Sequence, residues 1–157
     1  MSKIDPTDQG QGVQPWSIDR VGVVGMGLIG GSIALDLRQQ GVEVQGLVHR
    51  EVTAERARSR GLASLISTDS SCLQDCDLVI LALPLESLLT PAESLLKALP
   101  EKAVVTDVGS VKAKVLEVWR DLHPRFVGSH PMAGTAEAGV DAGFAGLFCG
   151  RPWVSTP

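Results

Sequence analysis

The stretch "RVGVVGMGLIGGSIALDLRQQ", Arg20 to Gln40, decides the fold. It opens with a β-branched run, breaks into closely spaced glycines and continues with residues that favour a helix. Gly25, Gly27 and Gly30 make the spacing G-x-G-x-x-G between an expected strand and an expected helix. A chain with 17 glycines produces such spacings by chance, so the flanking elements carry the argument. In that setting Gly25 permits the tight turn, Gly27 lets the backbone approach a pyrophosphate, and Gly30 lets helix pack against strand. The anion rests on the first turn of the helix, around Leu28 and Ile29, at the positive end of its dipole. A strand-to-helix turn with no ligand is the alternative.

Working outward, the same two textures alternate along the chain. The runs "VEVQGLV", "DLVILAL", "AVVTDV", "RFVGS" and "RPWVS" read as strands, and "VTAERARSR", "TPAESLLKAL" and "KAKVLEVWRDL" read as helices. Alternation of this kind predicts βαβ crossovers. The expected fold is a doubly wound α/β domain: a mostly parallel, Rossmann-type sheet with helices on both faces. Gly41 and Gly61 follow two of the helices where a C′ glycine belongs, and Thr90-Pro91 reads as an N-cap followed by a proline in the first helical position, with a helix start a few residues earlier as the alternative. The domain is expected over 18–157. Residues 1–17, rich in Gln, Gly, Asp and Pro, read as a disordered arm.

Composition narrows the function classes. The chain of 157 residues is 44% hydrophobic, enough for one globular domain with a real core. Its net charge of −4, with no Lys/Arg cluster, argues against nucleic acid and anionic membranes as partners. No apolar run approaches the roughly 20 residues that cross a bilayer. Neither a secretory leader nor a metal-ligand spacing is visible, and Cys72, Cys76 and Cys149 read as reduced thiols. The expected location is cytoplasmic.

The end of the second strand addresses which dinucleotide is bound. An NAD site usually carries Asp or Glu there for the ribose 2′-hydroxyl. Here the position falls near Val48, followed by His49 and Arg50. A missing carboxylate removes repulsion of a 2′-phosphate, and Arg50 offers it a charge-assisted fork. NADP is therefore expected over NAD, with Arg50 as a solvated surface arginine the plainer alternative. Glu51, one residue on, is the acid that competes with this reading.

Ligands of such sheets gather at the carboxyl ends of the strands. Leu83-Pro84 turns the chain there, near the cofactor. Asp107, Ser110 and Lys112 follow the next strand, and His130 ends the one after it. A neutral imidazole takes a proton near physiological pH, and beside a hydride acceptor it makes an alcohol dehydrogenase-type site. Pro131 favours extended backbone at His130. Other uses stand beside these. His130 serves equally as a structural loop histidine, and Ser110, taken alone, reads first as a helix cap. Lys112 reads as solvated, Asp107 as binding turn amides, Cys149 and Trp153 as packing residues, and Met26 and Met132 as loop neighbours of the site.

The set "GMGLIGGS", "DVGSVK" and "GSHPMAGT", in this order, resembles the nucleotide-binding half of the prephenate/arogenate dehydrogenase family of tyrosine biosynthesis, over about Asp19 to Pro157. In texture, "GLIGGSIALDLR" and "HPMAGTAEAGVDAG" are most similar to the cyanobacterial-type, NADP-using arogenate dehydrogenases. The resemblance implies oxidative decarboxylation. Hydride leaves the ring carbon bearing the hydroxyl for NADP⁺, the carboxylate leaves as CO₂, and the ring aromatises. It also implies that His130 is the base or hydrogen-bond acceptor for that hydroxyl. Ser110 then positions the hydroxyl or the imidazole and also meets the cofactor.

Family members carry a second, mostly helical domain that supplies the dimer interface and an arginine for the substrate carboxylate. This chain ends at "RPWVSTP", so that domain is expected to be absent from it. The accompanying expectations are a homodimeric full-length form and little turnover by these residues alone. The other readings are a dehydrogenase of the β-hydroxyacid type and a non-catalytic dinucleotide-binding module. These residues do not choose arogenate over prephenate.

Overall fold

Val21, Val23 and Val24 place β1 (Arg20–Val24) at the buried centre of a seven-stranded sheet in the computed structural model, which describes residues 18–156. The expected arm, 1–17, lies outside the described residues. β1 pairs with β2 (Glu43–Leu47) on one edge and with β4 (Leu78–Leu81) on the other, in registers ending at Val24↔Leu47 and Val24↔Leu81. β3 (Leu65–Ser67) extends one side, and β5 (Val104–Asp107) and β6 (Phe126–Pro131) extend the other, all parallel. β7 (Trp153–Thr156) closes that side antiparallel to β6. The order is β3-β2-β1-β4-β5-β6-β7. It changes direction at β1 and β4, and such a switch opens a crevice at the carboxyl ends of those strands.

Two cores flank the sheet. On one, α1 (Leu28–Gln39) buries Gly30, Gly31, Ser32, Ile33 and Ala34, and α2 (Glu51–Ser59) buries Ala54 and Ala57. These small residues let both helices lie close to the strands. On the other, α3 (Leu85–Leu89), α4 (Glu93–Ala98) and α5 (Ala113–Leu122) pack around Leu81, Val105 and Trp119. The Trp119 ring stacks on Phe126 at 5.2 Å, and its Nε1 donates to the Leu88 carbonyl at 2.8 Å. That bond satisfies the indole in a site where an unpaired donor would be costly.

The expected doubly wound sheet is present, and Gly41 and Gly61 take the left-handed φ of +83° and +62° that C′ residues use. Two local expectations are corrected, at Thr90-Pro91 and at Cys149. Thr90-Pro91 does not open a helix: Thr90 ends α3, and α4 starts at Glu93. Proline disfavours the helical region for the residue before it, and Thr90 accordingly sits at φ −134°, ψ 70°. Met26 is the loop neighbour of the glycine turn that was expected, and its side chain also joins the core beneath Gly46 of β2. Cys149 is exposed and is not the packing residue expected, whereas Trp153, though 43% exposed, packs on Phe148 at 5.5 Å and donates from Nε1 to Ser129 Oγ at 2.9 Å. β3 and the short 3-10 turn at Ser70–Leu73 were not expected from the sequence.

Candidate active site

The glycine turn delivers what its spacing predicts. Gly25 has φ +92°, and a Cβ there would overlap the carbonyl oxygen of Ala82. The α1 N-cap is Gly27, which leaves open space where a side chain would be. No side chain caps this helix and no acid occupies its first turn. The first amides of a helix have no partners within it, so the N-terminus at Leu28 and Ile29 remains available to an anion.

A cavity of about 890 Å³ begins at this turn. Of the residues expected at the cofactor, Gly25, Gly27, His49, Arg50 and Leu83 line it, and Leu28, Ile29, Gly30, Pro84 and Ser110 do not. Val48 is buried at the end of β2, and Arg50 is exposed at the N-terminus of α2. Glu51 is engaged elsewhere: its carboxylate accepts from Arg58 Nη1 at 2.5 Å. Leu28, Ile29 and Gly30 lie in the first turn of α1, and Pro84 is the N-cap of α3.

Sequence reasoning missed three walls of the cavity, one of them formed by Ser87, Thr90, Ala92, Ser94 and Leu95 around the junction of α3 and α4. Another is the segment after β3, where Asp69 accepts from Ser71 N at 2.9 Å. That bond to the backbone holds the Asp69 carboxyl below its usual range. The third is Ala138–Asp141, part of the long segment between β6 and β7. This segment folds back over α1 and α2. Arg60 donates to the carbonyls of Val140 and Gly143, the latter at 2.7 Å, and Ser32 Oγ accepts from Phe144 N at 3.0 Å. The glycines in "GTAEAGVDAG" marked a loop, but nothing in them marked its destination.

His130 and Ser110 stand at the carboxyl ends of neighbouring strands, outside the lining of this cavity. His130 is half-buried in β6, and its Nδ1 lies 3.0 Å from the Val108 carbonyl oxygen. A carbonyl oxygen only accepts, so Nδ1 carries the proton and Nε2 keeps its lone pair. That is the tautomer a base acting through Nε2 requires. Ser110 is exposed and does not cap α5, whose N-cap is Lys112. Its hydroxyl has no hydrogen-bond partner among the described residues, whereas the Val108 carbonyl orients the imidazole.

Lys112 is not solvated as the sequence suggested. Its ammonium is paired with the fully buried Asp107 carboxylate and donates to the Ser129 carbonyl at 2.8 Å. Asp107 also accepts from Gly109 N at 2.9 Å and from Ser129 N at 3.2 Å. It does bind turn amides, as expected, but with a buried cation beside it.

With this geometry in place, the comparison with known proteins is informative. Residues 33–157 match the family described as "Prephenate dehydrogenase, nucleotide-binding domain". The chain belongs to this family. Among solved structures, the arogenate dehydrogenase of Synechocystis is similar, at 40% identity and a TM-score of 0.84, over 88% of this chain and 50% of that one. The prephenate dehydrogenase of A. aeolicus, solved with hydroxyphenyl propionate and NAD⁺, is 33% identical with a TM-score of 0.82, over 92% of this chain and 52% of that one. The cyclohexadienyl dehydrogenase of Zymomonas mobilis is 34% identical over 142 residues, 87% of this chain and 48% of that protein. The chain thus spans about half the length of these relatives in the prephenate dehydrogenase family.

Proposed function

We propose that this chain is the cofactor-binding portion of a prephenate or arogenate dehydrogenase that uses NADP⁺. The observation that carries the reading is His130, held with a free Nε2 at a strand end beside the crevice that the glycine turn opens. The uncapped α1 N-terminus fits a pyrophosphate, and Arg50 beside Val48 fits a 2′-phosphate. When bound, the nicotinamide dinucleotide supplies the hydride acceptor.

The chain's own residues do the rest of the work assigned to this half. His130 Nε2 accepts the proton of the substrate's ring hydroxyl, while the exposed Ser110 hydroxyl orients that group or the nicotinamide. Leu83 walls the cofactor side, and Pro84 after it turns the chain into α3. A second, mostly helical domain following this one supplies the dimer interface and the cation for the substrate carboxylate, and the enzyme works in the cytoplasm.

NAD⁺ is the second reading, favoured by a specific observation: the carboxylates of Asp69 and Asp141 line the same cavity as Arg50. Asp141 is matched by Arg56 at 2.6 Å, which tempers its repulsion of a phosphate. Calorimetric titration with NADP⁺ and NAD⁺ at equal salt separates the two. Tighter NADP⁺ binding supports the 2′-phosphate reading, and tighter NAD⁺ binding overturns it. His130→Asn in a chain that also carries the second domain tests the base. Loss of turnover with cofactor binding retained supports it, and retained turnover removes His130 from the chemistry.

A further inference from the structure

The backbone ladder between β5 and β6 is short. It pairs Val105 with Phe126 and Thr106 with Val127, and then stops. Asp107 and Lys112 take over from there. The Asp107 carboxylate accepts from Ser129 N at 3.2 Å, and the Lys112 ammonium donates to Ser129 O at 2.8 Å. Two side chains thus hold both main-chain groups of the residue before His130, as a paired strand would have done. The same carboxylate accepts from Gly109 N at 2.9 Å, fixing the turn that aims the Val108 carbonyl at His130 Nδ1.

The sequence "DVGSVK" is built for this. A Cβ on Gly109 would stand 3.0 Å from Asp107 Oδ2 and 3.3 Å from Leu88, so only a bare α-carbon lets the carboxylate reach the turn easily. Lys112 returns over Gly128, where a Cβ would lie 3.5 Å from its Cδ. Asp107 is fully buried and Lys112 nearly so, with 16% of its side chain exposed. Such a pair is costly to desolvate and is weak grounds for stability by itself. Its placement between the His130 strand and the Val108 turn gives it a different use.

We propose that Asp107 and Lys112 are positioning residues that fix the Nδ1–H tautomer of His130 by holding the Val108 carbonyl and the β6 backbone in register. The proposal deepens the reading of His130 as a base and rests on it for its functional meaning. Neither residue touches the cofactor cavity, so their effect passes through the imidazole.

The test is long-range ¹H–¹⁵N correlation spectroscopy of the imidazoles in the ¹⁵N-labelled chain, at a pH where they are neutral, with His130 assigned by the signals lost in His130→Asn. The wild-type chain is expected to show His130 as Nδ1–H. Lys112→Met should move its nitrogens toward a mixed or Nε2–H pattern while dinucleotide affinity stays within twofold, and Lys112→Arg should restore much of the original pattern. A wild-type Nε2–H form, or a Lys112→Met spectrum with an unchanged tautomer, overturns the proposal. If Lys112→Met does not fold, Lys112→Gln, which retains one donor for Asp107, is read by the same criteria. The spectrum needs no turnover. Failure of His130→Asn to abolish activity would remove the base reading and leave the tautomer result standing.

Discussion

The bare α-carbon of Gly30 packs so closely on the carbonyl oxygen of Gly25 that a methyl group there would overlap it, and would meet the Ala82 side chain at 3.0 Å. Both contacts are inside the fold, on the α1 side of the glycine turn. Gly27, three residues earlier, has nothing within 4 Å of the same hypothetical methyl. The motif thus contains glycines that the fold itself requires and one, Gly27, that no contact among the described residues requires.

The two kinds of glycine separate by mutation. Gly30→Ala should destabilise the chain by about 1–3 kcal/mol, the usual cost of overpacking, and more if α1 cannot shift. Gly27→Ala should leave the thermal midpoint within a few degrees of wild type yet weaken dinucleotide binding at least tenfold. Thermal denaturation and calorimetry on the two variants give the contrast. A Gly27→Ala chain that binds as well as wild type would show that no ligand approaches the turn.

Arg50→Ala tests the nucleotide preference. A charge-assisted hydrogen bond contributes about 1.5–3 kcal/mol, so losing it should weaken NADP⁺ binding roughly tenfold to a hundredfold. NAD⁺ binding should change less than threefold. Equal losses for both cofactors would place Arg50 on a group they share, away from the 2′-phosphate.

The three cysteines should differ sharply in reactivity. Burial, with Cys72 adjacent, pushes the Cys76 thiol up to about 12, and burial also raises Cys72. Cys149 is exposed. Since the thiolate is the reactive form, alkylation of the native chain near pH 8 should label Cys149 first and Cys76 only on unfolding. Mass spectrometry of quenched samples reads the order. The same shift carries a stability consequence. The unfolded Cys76 thiol ionises near its ordinary value of about 8.5, below its folded value. The protonated thiol therefore costs the fold nothing at neutral pH, and stability falls as pH rises past that ordinary value.

How much of this was legible in the sequence follows from the range of the interactions involved. Strand and helix order came from local texture, and the C′ roles of Gly41 and Gly61 from residue type, because these are set by near neighbours. β3 was invisible because its few residues acquire strand character only by pairing with Gln45, Gly46 and Leu47. The helix expected from "TPAESLLKAL" is present as α4 but starts at Glu93, beyond Pro91, and the separate α3 before it was not expected. Lys112 read as solvated because its partner Ser129 lies on another strand, and nothing local distinguishes a buried lysine from an exposed one. The helix-cap reading of Ser110 followed residue preference, but the chain places Lys112 at that position.

Arg60 is the sharpest case of a long-range role hidden in a plain helix end, and it yields the last prediction. From the C-terminus of α2 its guanidinium reaches across to two carbonyls, Val140 and Gly143, of the segment that follows β6. Val140 lines the cavity proposed for the cofactor, so Arg60 fastens one of the cavity's walls. Arg56 also reaches this segment, through Asp141 at 2.6 Å, but the side chains of Arg56 and Asp141 are both more than half exposed. Exposed pairs of that kind contribute about 0–1 kcal/mol. The half-buried Arg60 bonds to main-chain groups that have no substitute partner if it is removed. Arg60→Ala should therefore increase amide exchange across 138–146 and weaken dinucleotide binding severalfold, with β1 and β4 protected as before. Arg56→Ala should do neither to a measurable degree. Comparable effects from both would mean that net positive charge near the cavity matters, and that the fastening of the wall does not.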